Sequence, residues 1–242
     1  QPLFPGVFGI FGHGNVACLG QALEENKDIL PTYRGHHEQN MALTGVAYSR
    51  AKRRKQIFVA TSSVGPGSTN LLTASAVAMS NRIPILFLPG DTYANRMPDP
   101  VLQQVEHFNN PGITANDAFR SVTRYFDRIT RPEQILQSLP QAIQIMIDPA
   151  DAGPACLSLC QDIQGEVFEY PEEFFKERIH NIRRPKPDDF EIKNAAEKIK
   201  NCKNPIIISG GGVFYSDAMD ELGNFATKHN IPVTQTVMGY ST

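Results

Sequence analysis

Three short segments of the chain combine glycine with polar side chains in patterns that could hold a reacting ligand. They are residues 12–15 (Gly-His-Gly-Asn), 35–39 (Gly-His-His-Glu-Gln) and 62–70 (Ser-Ser-Val-Gly-Pro-Gly-Ser-Thr-Asn). The third is rich in glycine and leads into a helical pattern, so its backbone N–H groups could approach an anion or a ring closely. It lacks the lysine of a nucleotide-binding P-loop, because Ser68 and Thr69 follow its second glycine. The segment therefore predicts either a ligand-binding loop of another kind or a structural turn.

The second segment contains the main candidate for acid–base chemistry, Glu38. His36 and His37 precede it, but neighbouring side chains at a strand-to-helix junction point apart, and no second pair of ligands stands at helical spacing. We therefore expect no metal ion at this segment. From its position alone, Glu38 could be an acid stabilised by the dipole at a helix start or a general acid–base group.

The apolar pattern around these segments predicts the elements that position them. Four apolar runs have the length and composition of buried strands: residues 6–11, 56–60, 83–88 and 155–160. Four stretches have helical spacing: residues 17–25, 39–52, 68–80 and 132–147. This alternation is typical of a doubly wound α/β fold, in which helices cover a parallel sheet and ligands bind at the carboxyl ends of its strands. We expect the three candidate segments at that edge of the sheet.

Changes in composition divide the chain into two predicted domains. Residues 1–165 carry the pattern described above, and residues 166–188, rich in Pro, Glu, Lys and Arg, have the character of an exposed linker. Residues 189–242 then predict a helix, a strand, a helix and a strand, at 190–201, 205–209, 217–228 and 231–236. Two or three strands cannot close a doubly wound domain, so we expect residues 189–242 to be the start of a second, incomplete α/β domain.

Composition and charge exclude several classes of protein. Of the 242 residues, 41% are hydrophobic, and the formal net charge is -2, which gives no basis for a nucleic-acid partner. No apolar run is long enough to cross a bilayer, and the four cysteines contain no CxxC pair. Cys156 and Cys160 share one face of a predicted strand, where buried thiols are expected rather than metal ligands. We expect a cytoplasmic protein without membrane contacts whose partner is a small-molecule substrate.

Four stretches, in this order, resemble the pyrimidine-binding domain of the acetolactate-synthase-like thiamine-diphosphate enzymes. They are FGIFGHGN (8–15), RGHHEQNMALTGVAYSRA (34–51), TSSVGPGSTNLLTA (61–74) and RIPILFLPGD (82–91). The resemblance implies a doubly wound fold and thiamine diphosphate as cofactor. It also implies that Glu38 hydrogen-bonds N1′ of the aminopyrimidine and favours the tautomer that takes a proton from the thiazolium carbon. A carboxyl group in a largely apolar pocket can share that proton, and a raised pKa would help it to do so.

The same resemblance implies roles for three further residues. His13 stands where relatives place a polar residue that faces the substrate, although its position is equally that of a polar residue at a helix start. Asn70, at the glycine-rich loop, and Gln103 match positions beside the cofactor. The family implies that His13 and Glu38 are catalytic, and that Glu38, Asn70 and Gln103 contact the cofactor.

The family binds the diphosphate group through magnesium, using a Gly-Asp-Gly motif and a later pair of asparagines in a third domain. The pair Gly90-Asp91 imitates that motif, but Thr92 follows it, and Asn109-Asn110 comes at too short a spacing. We therefore expect no metal ligand in these 242 residues and a magnesium site in a domain beyond them.

Two stretches, DPVLQQVEHF (99–108) and NDAFRSVTRYFDRITRPEQIL (116–136), together with the expanded third loop, resemble a ring-opening branch of the superfamily. That branch implies hydrolysis of a carbon–carbon bond in a cyclic 1,2-diketone. Two alternatives stay open: a carboligase of the acetolactate-synthase or glyoxylate-carboligase type, and a non-catalytic cofactor-pocket module. In the family the pocket lies between two subunits, which implies a homodimer or homotetramer and no turnover by this chain alone.

Overall fold

The computed structural model describes residues 2–98, 101–105, 107 and 109–240. Residues 99, 100, 106 and 108 of the stretch 99–108, on which part of the family comparison rests, lie outside the described residues. The chain divides into two compact units, Gln1–Ile182 and Arg183–Thr242.

Six strands form a parallel sheet in the first unit. They are β1 (Val7–Gly9), β2 (Thr32–Arg34), β3 (Val59–Ser62), β4 (Leu86–Asp91), β5 (Tyr125–Ile129) and β6 (Ala155–Cys160). Their order across the sheet is β2-β1-β3-β4-β6-β5, and every pairing is parallel. This confirms the predicted α/β fold class. Gly9 pairs with Arg34 on one side and Thr61 on the other, so the first three strands end side by side.

Helices cover both faces of this sheet. They are α1 (Gln21–Glu25), α2 (Glu38–Ala51), α3 (Pro66–Thr69), α4 (Leu72–Asn81) and α5 (Ile135–Ile147), with a π-helical turn at Val16–Gly20 and 3-10 turns at Ala115–Ser121, Pro132–Gln134, Ile163–Gly165 and Glu172–Phe175. Ala60 and Phe87 pack in the core cluster that contains α2 and α4. Val59 and Leu86 pack in the cluster that contains α1 and α5. Alternate residues of the central strands therefore meet opposite helical layers, which is why these strands are apolar on both faces.

Four of the six strands were predicted. The strand at 155–160 is found as predicted, whereas β3 and β4 begin later than their apolar runs. Ile57 and Ile85 precede these two strands and are fully buried. The apolar runs therefore include buried residues that lead into each strand as well as residues of the strand. The sequence did not predict β2 and β5, which form the two edges of the sheet.

The second unit contains a parallel pair of strands, β7 (Ile207–Ser209) and β8 (Val233–Gln235). Its helices are α6 (Asp189–Asn201), α7 (Gly211–Tyr215) and α8 (Met219–His229), and a 3-10 turn lies at Val237–Gly239. Helix α6 begins with a capping box, in which the side chain of Asp188 accepts from the N–H of Phe190 and Glu191 reaches back to the N–H of Asp188. The predicted order of helix, strand, helix and strand is present, with α7 added between β7 and α8.

The two cysteines of β6 are buried, free thiols. Burial raises the pKa of Cys160 to about 12 and raises that of Cys156 well above its ordinary value, so both side chains stay neutral at physiological pH. In the described part of the chain, no helix is both long enough and apolar enough to span a membrane.

Candidate cofactor site

The three candidate segments meet at one edge of the first sheet. Residues 12–15 follow β1, Glu38 begins α2 shortly after β2, and residues 62–70 begin at the last residue of β3. Because β1 lies between β2 and β3, the ends of these strands are neighbours. His13, Glu38 and Asn70 thus lie at the edge where doubly wound sheets bind ligands.

Glu38 is the first residue of α2, and its side chain is half-buried. The backbone of the preceding His37 is extended (φ -155°, ψ 130°), so the chain changes from an extended to a helical conformation at Glu38. Asn70 donates a hydrogen bond from Nδ2 to Oε2 of Glu38, at 3.1 Å. The other carboxylate oxygen, Oε1, is beside Gly67, where a Cβ atom would lie 3.5 Å from it. The structure therefore brings Glu38 and Asn70 together and leaves Oε1 next to the glycine-rich loop.

Gly65 lets this loop pass against the segment that follows β4. Its φ of +63° and ψ of -114° lie in a region that residues with a side chain rarely adopt. A Cβ atom at Gly65 would also stand 1.9 Å from the carbonyl oxygen of Gln103. The close approach between the two segments thus requires glycine at this position.

His13 lies at the exposed tip of a loop that is fixed by a buried asparagine. Asn15, which is 1% exposed, accepts the N–H of Gly12 on Oδ1 at 2.9 Å. Its Nδ2 donates to the carbonyl oxygen of Ile10 at 3.1 Å and to Oγ1 of Thr61 at 3.0 Å. One side chain therefore holds the His13 loop to the residue that follows β1 and to β3.

The far side of the same loop is held by Gln164. Its Nε2 donates to the carbonyl oxygen of Gly14 at 2.7 Å and to that of Leu159 at 3.1 Å. Gly90 of β4 packs directly on this carbonyl group, because a Cβ atom there would lie 2.4 Å from the Gly14 oxygen. The backbone on both sides of His13 is therefore fixed by contacts with three strands.

Gln103 contacts the glycine-rich loop (62–70) from the segment that follows β4. Its backbone has a positive φ of 64°, unusual for a residue with a side chain, and its Oε1 accepts from Oγ of Ser63 at 3.3 Å. Gly67 lies between Ser63 and Glu38. A Cβ atom added at Gly67 would stand 3.3 Å from Cβ of Ser63 and 3.5 Å from Oε1 of Glu38. All four residues that the sequence singled out thus lie on neighbouring loops at this edge of the sheet.

Asp91, in the sequence that imitates a magnesium motif, is bound by side chains of two other strands. It is 1% exposed, and its Oδ2 accepts from Nε of Arg128 at 2.8 Å and from Oγ of Ser158 at 2.5 Å. Arg128 also pairs with Asp117 at 2.5 Å. Burial alone would lower the pKa of Arg128, but the two carboxylates raise it, so the guanidinium stays charged. This network joins β4, β5 and β6 and gives the buried carboxylate of Asp91 two partners from neighbouring strands.

Three residues that position the site were not singled out from the sequence: Asn15, Ser63 and Gln164. Their contacts with the site span 46, 40 and 150 residues of sequence. No local spacing carries information about such contacts. Asn15 and Ser63 do fall inside the candidate segments, which is the one signal that could have drawn attention to them.

Comparison with protein families shows which enzymes contain domains of this kind. Residues 5–111 match the N-terminal TPP binding domain of thiamine pyrophosphate enzymes, and residues 192–242 match the central domain of the same enzymes. The chain therefore contains two domains of the thiamine pyrophosphate enzymes, the N-terminal domain and the central domain.

Relatives that are similar along nearly the whole chain share the name 3D-(3,5/4)-trihydroxycyclohexane-1,2-dione hydrolase. The protein of that name from Clostridium tetani is 51% identical over 236 residues, which cover 98% of this chain and 37% of the relative. The one from Listeria monocytogenes is 50% identical over 241 residues, covering 100% and 38%. The one from Halalkalibacterium halodurans is 51% identical over 240 residues, covering 99% and 38%. The chain thus spans 37–38% of the length of these relatives.

Proposed function

We propose that this chain is the cofactor-activating part of a thiamine-diphosphate-dependent hydrolase. The whole enzyme would open the ring of trihydroxycyclohexane-1,2-dione to 5-deoxy-glucuronate in myo-inositol catabolism. The observation that carries the proposal is the Glu38 carboxylate, held by Asn70 beside the glycine-rich loop of an N-terminal TPP binding domain. Identity of 50–51% to relatives named for this hydrolase supports the choice of substrate.

The residues around Glu38 suit an aminopyrimidine ring. Asn70 donates to Oε2, so Oε1 is the oxygen that can share a proton with N1′ of the ring. Gly67 has no side chain in the space beside Oε1, so a flat ring can approach the backbone there. When bound, thiamine diphosphate supplies a nucleophilic carbon that adds to a carbonyl group and stabilises the charge left by cleavage of the adjacent carbon–carbon bond.

In the proposed reaction the bond between the two carbonyl carbons of the ring breaks, and one molecule of water is consumed. One of these carbons becomes a carboxylate and the other an aldehyde. Glu38 holds a proton at N1′ and takes it back, which is general acid–base catalysis. His13, at the exposed loop tip, has two ring nitrogens that can donate to or accept from the hydroxyl groups of the substrate.

The remaining parts of the enzyme would come from outside this chain. We expect the magnesium and diphosphate site in a domain beyond residue 242, and a homodimer or homotetramer in which a second subunit completes the pocket. We place the enzyme in the cytoplasm. The 242 residues alone would then bind the cofactor weakly and show no turnover.

Product identification with the full-length protein tests this proposal. The protein would be loaded with thiamine diphosphate and magnesium and given the diketone or, separately, pyruvate and glyoxylate, with Glu38→Gln as the inactive control. We expect 5-deoxy-glucuronate by mass spectrometry and NMR. Acetolactate or tartronate semialdehyde as the main product, with the diketone untouched, would establish a carboligase. Cofactor binding without any product would instead identify a non-catalytic module.

A further inference from the structure

Ser63 stands at the junction between the His13 loop and Gln103. Its side chain is buried, with 8% of the residue exposed. The N–H of Gly14 donates to Oγ of Ser63 at 3.4 Å, and this Oγ donates to Oε1 of Gln103 at 3.3 Å. Both distances are at the long end of the hydrogen-bond range, so the arrangement sets a direction more than it adds stability.

The direction follows from the chemistry of the three groups. A backbone N–H can only donate, so the hydroxyl oxygen of Ser63 is the acceptor for Gly14. The hydroxyl group has a single proton, and this proton is directed to Gln103, where only the carbonyl oxygen of the amide can accept it. The amide NH2 group of Gln103 is thereby turned away from Ser63, on a residue that is otherwise exposed.

The surrounding backbone is shaped for this contact. A Cβ atom at Gly12 would lie 2.6 Å from Oγ of Ser63, so only glycine leaves room for the hydroxyl group. Gly65 leaves room for the backbone of Gln103 in the same way, because a Cβ atom at Gly65 would lie 1.9 Å from the carbonyl oxygen of Gln103. Both glycines belong to segments that the sequence had already singled out.

We propose that Ser63 is a positioning residue that fixes the amide of Gln103 as a hydrogen-bond donor toward the ligand. The group that Gln103 meets is then an acceptor: a ketone or hydroxyl oxygen of the substrate, or an acceptor atom of the cofactor. The inference rests on the proposed function in that it places a substrate or cofactor beside Gln103. Beyond that function, it states that Gln103 is the donor in this contact and that Ser63 determines its orientation.

A double-mutant cycle in the full-length protein tests the coupling. Ser63→Ala, Gln103→Ala and the double variant would be compared by kcat/KM with the diketone, by calorimetric Kd for thiamine diphosphate and by Tm. We expect Ser63→Ala to worsen kcat/KM or the cofactor Kd about fivefold, the effect of one net hydrogen bond, with Tm unchanged. In the Gln103→Ala background the same change is expected to have no further effect.

Three further variants separate positioning from packing. Ser63→Thr keeps the hydroxyl group and is expected to restore the lost activity. Gln103→Glu keeps an acceptor for Ser63 but removes the outward donor, and we expect it to lose as much as Gln103→Ala. Ser62→Ala is the matched control, because the hydroxyl group of Ser62 donates to the carbonyl oxygen of Ser63 at 3.2 Å and not to Gln103, and its cost is expected to be equal in both Gln103 backgrounds.

The outcomes also identify the ligand. A rise in KM for the diketone with an unchanged cofactor Kd would place the acceptor atom on the substrate, and a weaker cofactor Kd would place it on the cofactor. Additive losses from Ser63→Ala and Gln103→Ala, or full activity in Gln103→Glu, would overturn the inference. If the wild-type protein forms a different product, the proposed function fails, and the same cycle measured on that reaction still decides the role of Ser63.

Discussion

Replacement of Asn15 by alanine tests whether the His13 loop is held as the structure indicates. The side chain of Asn15 makes three hydrogen bonds at 2.9, 3.1 and 3.0 Å, and it is buried. The variant leaves the N–H of Gly12 and the carbonyl oxygen of Ile10 without their side-chain partner, and it removes a donor to Oγ1 of Thr61, which keeps its own bond to the carbonyl oxygen of Leu88 at 2.7 Å. At about 1 kcal/mol for each bond, we expect a loss of about 3 kcal/mol in local stability.

Amide hydrogen exchange of the full-length protein measures this loss where it occurs, because exchange reports local as well as global opening. In Asn15→Ala we expect the protection of peptides from β1 and β3 to fall about 100-fold, the equivalent of about 3 kcal/mol. Asn26→Ala is the matched control: Asn26 is exposed and makes one side-chain bond, to the carbonyl oxygen of Ala22 at 2.8 Å. Equal protection in Asn15→Ala and Asn26→Ala would refute the role assigned to Asn15.

Three other predictions follow from the same structure. His13→Ala is expected to lower the rate of diketone opening at least about tenfold while the cofactor Kd stays unchanged, and a parallel loss of cofactor binding would contradict a role toward the substrate. For Asp117, burial would raise the pKa, but hydrogen bonds from Arg120, from the backbone of Thr114 and from Arg128 lower it below the ordinary 3.8. Its stabilisation is therefore present above that pH and lost as the pH falls through the still lower folded-state value, so Asp117→Asn is expected to lower Tm near neutral pH and to flatten the decline of Tm in acid. Burial raises the pKa of Cys160 to about 12, so this thiol is expected to resist a disulfide reagent at neutral pH until the protein unfolds. The exposed Cys202 is expected to react at once. Rapid modification of Cys160 in the native protein would show that β6 is not buried.

The central strands could be predicted from the sequence because both of their faces are buried. All four residues of β3 are buried, and a continuous apolar run at 57–60 leads into it. The edge strands gave no such signal. Strand β2 exposes Tyr33 and Arg34, and β5 contains Asp127 and Arg128, whose charges are bound by side chains from other elements. An edge strand of this kind is defined by its pairing with a neighbouring strand, and that pairing cannot be read from the local sequence.

The candidate site residues could be named from the sequence, but their hydrogen-bond partners could not. Glu38, Asn70 and Gln103 were singled out by their segments and by the family resemblance. That Asn70 donates to Glu38 depends on how two loops 32 residues apart meet at the sheet edge, and that Gln103 accepts from Ser63 depends on a crossing of segments 40 residues apart. Spacing along the chain predicts which residues reach the edge of the sheet, whereas hydrogen-bond pairing depends on the loop conformations there.

Proton exchange at the thiazolium carbon of bound thiamine diphosphate is the most direct test of the central claim, that Glu38 activates the cofactor. The exchange would be followed by NMR in deuterated buffer for the full-length wild-type protein, for Glu38→Gln and for Glu169→Gln, an exposed glutamate that serves as the matched control. We expect exchange in Glu38→Gln to be about 100-fold slower or more, the range for a positioned acid–base group, and exchange in Glu169→Gln to match the wild type. Exchange at the wild-type rate in Glu38→Gln would contradict the account and leave Glu38 as an acid at the start of a helix.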